Sequence, residues 1–288
     1  MSSAPAPYLA ACVQLRSTED TQGNLDRAER LIRRAAARGA ALIATPEATP
    51  LLGPQFHKVE RAEPLDAGDP LAVSCARFSA LAAELKVHLL LGSLAERRLL
   101  PGGAVDPARC YNTSVLFGPD GAQLARYRKI HLFDVDVGGG AGAVSIRESD
   151  TVAPGDEVVV ATTPLGRLGL SVCYDLRFPE LYRALVDRGA DVILVPSAFT
   201  LTTGKDHWHA LLRARAIECQ AWILAPGQWG QHDAEGRRQS YGHSLVVDPW
   251  GCVAADAGQG EGVCYAEVDL ARVAQVRAAI PVRAHRRL

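Results

Sequence analysis

Unbroken apolar runs alternate with stretches of helical spacing in the first third of the chain. Tyr8 to Leu15 is apolar almost throughout and predicts a buried strand. Asn24 to Arg38 places Leu25, Ala28, Leu31, Ile32 and Ala35 at helical spacing among charges, which predicts an amphipathic helix. Ala41 to Thr45 reads as a second strand, Pro70 to Leu85 as a second helix and Val87 to Gly92 as a third strand. This β-α-β-α-β order argues for α/β layering.

The middle of the chain changes style. Asn112 to Phe117 and Ala122 to Arg128 flank the turn Gly118–Pro119–Asp120–Gly121 and predict a hairpin. Val158 to Thr162 with Arg167 to Val172, and Ser244 to Val247 with Cys252 to Ala255, predict two more. Between them, Phe178 to Arg188 and Asp206 to Gln220 read as helices and Val192 to Val195 as a strand. Hairpins mixed with helix–strand units predict two sheets packed face to face with helices outside. Pro101 to Arg109 and His131 to Pro154 are expected to be loops, the second long and Gly-rich at its centre. No linker with a composition shift interrupts the chain, so one domain over 1–288 is expected, with its core at about 8–270.

Composition narrows the function classes. Nearly half of the 288 residues are hydrophobic, enough for a sizeable core, and the net charge of −1 offers no basic stripe for nucleic acid. No apolar run is long enough for a membrane helix, and Met1 to Pro7 lacks the pattern of a signal peptide. The seven cysteines are odd in number and widely spaced, with no CxxC pair. Reduced thiols and a cytoplasmic setting are expected, rather than a disulfide framework or a thiolate zinc site.

Three segments carry candidate chemistry. Cys173 ends the apolar run Leu168 to Val172 before a predicted helix, where substrate can reach the sulfur and amide N–H groups point outward. Glu47 follows the strand Ala41 to Ala44 and Pro46, which stops further pairing. Lys129 follows the strand ending in Tyr127–Arg128. A thiol, a carboxylate and an ammonium beside apolar strands suggest a nucleophile, a base and an oxyanion donor. The plain alternatives are a small core cysteine, a salt-bridged or capping carboxylate, and edge-strand charge shared with Arg126 and Arg128. The histidines have no evident partner role, and His207 and His209 face different sides of a helix, against a metal pair.

Glu47 in TPEATP, Lys129 in RYRKIHLFDVDV and Cys173 in SVCYDLRFPE together resemble the Glu–Lys–Cys set of the nitrilase, or carbon–nitrogen hydrolase, superfamily. The likeness continues through PSAFTLTTGKDHWHALLRARAIECQAW and SYGHSLVVDPWG and covers nearly the whole chain. It is closest in style to the branch containing deaminated glutathione amidases and ω-amidases. The resemblance implies a four-layer α-β-β-α sandwich and an amidase working through a thioester on Cys173. Glu47 would be the base, and Lys129 with the Tyr174 backbone N–H would form the oxyanion hole. The family's second glutamate matches Glu148, although the Gly138 to Ala143 stretch before it looks longer than in relatives. Arg177 matches the position that holds a 2-oxo acid, and Phe199 and Thr203 match pocket-lining positions; an ion pair of Arg177 with Asp175 or Glu180 is the alternative. The resemblance further implies a small-molecule amide substrate, no metal or organic cofactor, and a homodimer or larger homo-oligomer. Rival readings are an ω-amidase or other aliphatic amidase or carbamoylase, a true nitrilase, a thiol oxidoreductase, and a non-catalytic scaffold that keeps the fold.

Overall fold

The computed structural model describes residues 6–137 and 144–287; the Gly-rich stretch 138–143 and the first five residues lie outside them. Two six-stranded sheets form the centre. The first contains β1 (Tyr8–Gln14), β2 (Leu42–Ala44), β3 (His88–Glu96), β4 (Tyr111–Phe117), β5 (Gln123–Arg128) and, at its other edge, β16 (Gly262–Val268), in the order β16-β1-β2-β3-β4-β5. The second contains β8 (Val160–Thr163), β9 (Gly166–Leu170), β10 (Val192–Leu194), β11 (Trp222–Ala225), β14 (Leu245–Val247) and β15 (Val253–Asp256), in the order β15-β14-β11-β10-β9-β8.

In each sheet the central strands run parallel and the outer ones antiparallel: β1, β2 and β3 pair parallel, as do β9, β10 and β11. Parallel neighbours need crossover helices, which explains the alternation in the sequence. These are α1 (Thr21–Ala37) and α3 (Val73–Leu85) in the first half, and α4 (Pro179–Asp187) and α5 (Leu201–Cys219) in the second. The short α2 (Gln55–Glu60) precedes α3.

Successive strand residues point to opposite faces, and this period assigns the layers. Ala11 and Val13 of β1, with Ile43, Leu89 and Leu91, pack against Leu25, Leu31 and Ile32 of α1 and Phe78 of α3. The alternate residues Ala10, Cys12, Leu42, Ala44 and Leu90 join the cluster of the second sheet, α4 and α5. The chain is therefore an α-β-β-α sandwich, and the apolar runs are strands buried on both faces. Asp20 caps α1 by accepting from the Gly23 amide at 3.0 Å.

The span His131 to Pro154 is not the structureless loop its composition suggested. It holds a two-stranded ribbon, β6 (Asp134–Val137) with β7 (Val144–Arg147), and then a 3-10 turn, Glu148–Asp150. Another small ribbon, β12 (Trp229–Gln231) with β13 (Gln239–Tyr241), also lies outside the two main sheets. The C-terminal α6 (Leu270–Ala279) is tied to the second sheet: Trp222 Nε1 donates to Asp269 O at 3.0 Å and Gln220 Nε2 to Ile280 O at 2.6 Å. Among the described residues no helix is long and apolar enough to cross a membrane.

Candidate active site

Parallel strands deliver their C-terminal ends to one rim, and there the predicted residues meet. Just past β2, Glu47 is buried, with Ala48 after it in the left-handed region at φ 56°. Its Oε1 accepts from Lys129 Nζ at 3.0 Å and from Asn112 Nδ2 at 2.9 Å, and its Oε2 accepts from the Ala198 amide at 2.8 Å. Gly92 makes room for this turn: a Cβ there would sit 2.0 Å from the Thr45 carbonyl oxygen.

Lys129 directly follows β5 and is buried. Besides Glu47, its ammonium donates to Glu148 Oε2 at 2.8 Å. Burial alone would drive this lysine toward neutrality, but Glu148 and Glu47 outweigh it and hold its pKa well above the ordinary value. Glu148 opens its 3-10 turn, accepts from the Phe133 amide at 2.8 Å and from Asn112 Nδ2 at 3.2 Å, and has Lys58 Nζ 4.0 Å away. Burial works against its charge, yet Lys129 and then Lys58 bring its pKa down to about 2. The cluster thus holds a charged lysine and an ionised Glu148.

Cys173 follows β9 after Ser171 and Val172, and opens the 3-10 turn Cys173–Arg177. Its φ of 49° is uncommon for a residue with a side chain and makes the chain turn sharply at the sulfur. The Cys173 amide donates to Pro196 O at 2.9 Å. The thiol lies against the Glu47 carboxylate; burial and that carboxylate raise its pKa well above normal, against the lowering effect of Lys129. The sulfur therefore rests as a thiol beside a carboxylate. Tyr174 is the second residue of the turn, where an amide has no earlier carbonyl of the turn to bond.

Asp175 and Asn112 also build the site, and neither was singled out from sequence. Asp175 is inaccessible and accepts four hydrogen bonds: from Tyr127 Oη at 2.7 Å, the Val172 amide at 2.8 Å, the His131 amide at 3.0 Å and His131 Nδ1 at 2.7 Å. It locks the Cys173 turn to the strand that presents Lys129. Asp175→Ala is predicted to cost about 3–5 kcal/mol, because it strips a buried hub of its acceptor. A urea unfolding midpoint for the variant, with a loss below about 1 kcal/mol, would contradict that role.

The site opens into a cleft of about 1410 Å³ lined by Glu47, Lys129, Glu148, Cys173 and the substrate-side candidates. Arg177 makes no ion pair with Asp175 or Glu180 among the described residues. Its guanidinium lies 5.1 Å from the Phe199 ring centroid, and its Nη1 is 3.3 Å from His207 Nδ1. Phe199 is buried against Trp208, and Thr203 Oγ1 is 2.8 Å from Thr200 Oγ1. All eight predicted site residues therefore share one cleft.

The carbon–nitrogen hydrolase family model matches residues 9–278. The chain belongs to the carbon–nitrogen hydrolase family. This hydrolase is 43% identical over 283 residues to the deaminated glutathione amidase of Synechocystis, covering 97% of this chain and 98% of that one. It is 37% identical to the omega-amidase NIT2 of Homo sapiens, covering 96% and 93%. Its fold matches the crystal structure of Saccharomyces cerevisiae Nit3, a member of branch 10 of the nitrilase superfamily, with a TM-score of 0.86, 33% identity and coverage of 100% and 99%. The family and the amidase relatives make the chain an amide-hydrolysing enzyme, and its sandwich is that of the nitrilase superfamily.

Proposed function

We propose that this hydrolase cleaves the amide of a 2-oxo dicarboxylate, with deaminated glutathione as the preferred substrate and 2-oxoglutarate and cysteinylglycine as products. The observation that carries the substrate class is Arg177: a guanidinium on the cleft wall, without a carboxylate partner among the described residues, suits bidentate capture of a substrate carboxylate. Phe199 would pack beneath that end of the substrate and Thr203 would line the same pocket.

Cys173 Sγ attacks the amide carbon while Glu47 takes the thiol proton. Lys129 Nζ and the Tyr174 N–H hold the oxyanion. As the C–N bond breaks, Glu47 delivers the proton to the departing amine, leaving a thioester on Cys173. Water, deprotonated by Glu47, then attacks the thioester, and the proton returns to sulfur as the acid leaves. Glu148 keeps Lys129 charged and in place. None of these steps requires a metal or an organic cofactor. We further propose a cytoplasmic enzyme that works as a homodimer or larger homo-oligomer on a small-molecule amide, with neither nucleic acid nor membrane as partner.

The test is a comparison of kcat/KM for deaminated glutathione and 2-oxoglutaramate. A large preference for 2-oxoglutaramate would favour an ω-amidase, the reading that the similarity to omega-amidase NIT2 supports. No turnover of any amide and no acyl adduct on Cys173 would favour a scaffold. In Arg177→Ala, kcat/KM for the 2-oxo acid amide is expected to fall about 10- to 100-fold. Turnover of a small neutral amide in the same variant should change little; equal losses on both substrates would remove Arg177 from carboxylate recognition.

A further inference from the structure

Away from the cleft, three metal-ligating side chains converge at the β15 edge of the second sheet. His209 projects from α5, His243 lies between β13 and β14, and Asp256 ends β15. Their ligand atoms all lie within 4.8 Å of one another. His209 Nε2 is 3.1 Å from Asp256 Oδ2, and His243 Nδ1 is 3.0 Å from Oδ1 and 3.1 Å from Oδ2 of the same carboxylate. Two imidazoles from separate elements thus aim at one acid.

Those separations are close to what a metal needs. Zinc bonds nitrogen and oxygen at about 2.0–2.1 Å, and tetrahedral geometry then puts neighbouring donors about 3.3–3.4 Å apart. Both imidazole–carboxylate separations lie within a few tenths of an ångström of that value, and the two ring nitrogens lie within 4.8 Å of each other. Much of the arrangement is fixed without it. The His243 backbone, at φ 51°, is pinned by its amide donating to Gly258 O at 3.0 Å and its carbonyl accepting from Trp208 Nε1 at 2.8 Å. Its ring stacks on Tyr241 with centroids 4.4 Å apart. Asp256 Oδ1 accepts from the Gly258 amide at 2.7 Å, which orients the carboxylate. The three side chains are 21–35% exposed, so an ion could enter and keep water at its open position.

We propose that His209, His243 and Asp256 bind one divalent transition-metal ion of the zinc class, clamping α5 to the edge strand. Two imidazoles and one carboxylate suit zinc, cobalt or nickel over magnesium or calcium, which favour oxygen ligands. The first turn of α5, Leu201 to Thr203, lines the cleft, so the clamp stiffens the element that carries part of the cleft wall.

The experiment titrates Zn²⁺ into chelator-treated, full-length protein by calorimetry, with Co²⁺ as the spectroscopic probe. Because Cys173 is itself a potential zinc ligand, the titration is repeated in Cys173→Ser. The expected result is one equivalent bound in both proteins, an intensified visible Co²⁺ spectrum, and a Tm raised by about 4–5 °C at free metal about 100 times Kd. His209→Gln and Asp256→Asn should each weaken binding at least tenfold while leaving amide turnover and the metal-free Tm close to wild type. Asp256→Asn keeps an oxygen for the Gly258 amide, so loss of binding there is separable from loss of fold. Absence of binding, or binding that survives both substitutions undiminished, overturns the site and leaves a hydrogen-bonded His–Asp–His contact.

Discussion

Replacing Cys173 by alanine is expected to lower amide turnover by at least about 10⁴-fold while leaving the fold intact. The proposed thioester route has no substitute for the sulfur. The ionisable side chains beside the sulfur are Glu47 and Lys129, which the proposed mechanism already uses as base and oxyanion donor. Serine should be nearly as inactive as alanine. Its hydroxyl is a far weaker acid than a thiol, and Glu47 already shares its carboxylate among three donors. The fold should survive because Cys173 lies at the cleft surface, with 8% of its area exposed, and alanine keeps the same backbone preference at φ 49°. Mass spectrometry after brief exposure to substrate completes the test. Wild-type protein should carry an acyl adduct on Cys173, and Cys173→Ala should carry none anywhere. Residual turnover in Cys173→Ala within tenfold of wild type would end the thioester mechanism.

Site residues could be read from the sequence wherever a strand and a chemical group coincide. Cys173 follows an apolar run, and Glu47 follows an apolar run and a proline; both runs are buried strands whose ends meet at one rim. Lys129 was harder, since Arg126 and Arg128 beside it look like edge-strand charge. A period-2 reading resolves it: Arg126 is exposed, whereas Tyr127 and Lys129, two residues apart, both point inward. Asn112 and Asp175 gave no such signal. Apart from the Val172 amide within the Cys173 turn, their side-chain partners lie 36 to 65 residues away in sequence, and only the folded sheets bring them together. The ribbon of β6 and β7 was hidden for a different reason. It alternates exposed Asp134 and Asp136 with half-buried Val135, and a two-stranded surface ribbon needs no continuous apolar run. The start of α5 was placed too late, at Asp206 instead of Leu201, because Thr202, Thr203 and Gly204 are poor helix formers. Gly204 is required there by packing: a Cβ would sit 2.4 Å from the Tyr241 Cβ.

Lys129→Met is expected to be as damaging for stability as Asp175→Ala and, after Cys173→Ala, the most damaging for activity. The lysine is the shared cation of Glu47 and Glu148, and all three side chains are buried. Removing it leaves two buried carboxylates whose remaining described partners are Asn112, backbone amides and, beside Glu148, Lys58 at 4.0 Å, at a cost of about 3–5 kcal/mol. Turnover should fall at least about 10²- to 10³-fold, the loss typical of one oxyanion donor. The pH dependence separates this account from simple loss of packing. In wild type the Glu148 pKa is depressed to about 2, so its stabilising contribution is complete above the unfolded value of about 4.3 and is lost as pH falls from there toward 2. The raised pKa of Lys129 has the opposite sense: its contribution is complete below the unfolded value of about 10.4 and is lost only as pH rises through the higher folded value. Without Lys129, burial of Glu148 is no longer opposed by its main cation, so the carboxyl takes up a proton more readily than the unfolded chain does. The stability gap between wild type and Lys129→Met should therefore narrow as pH drops from 7 to 4. Urea unfolding at a series of pH values reads this directly. A gap that stays constant over that range would mean that lost volume, and not the stranded carboxylates, sets the cost.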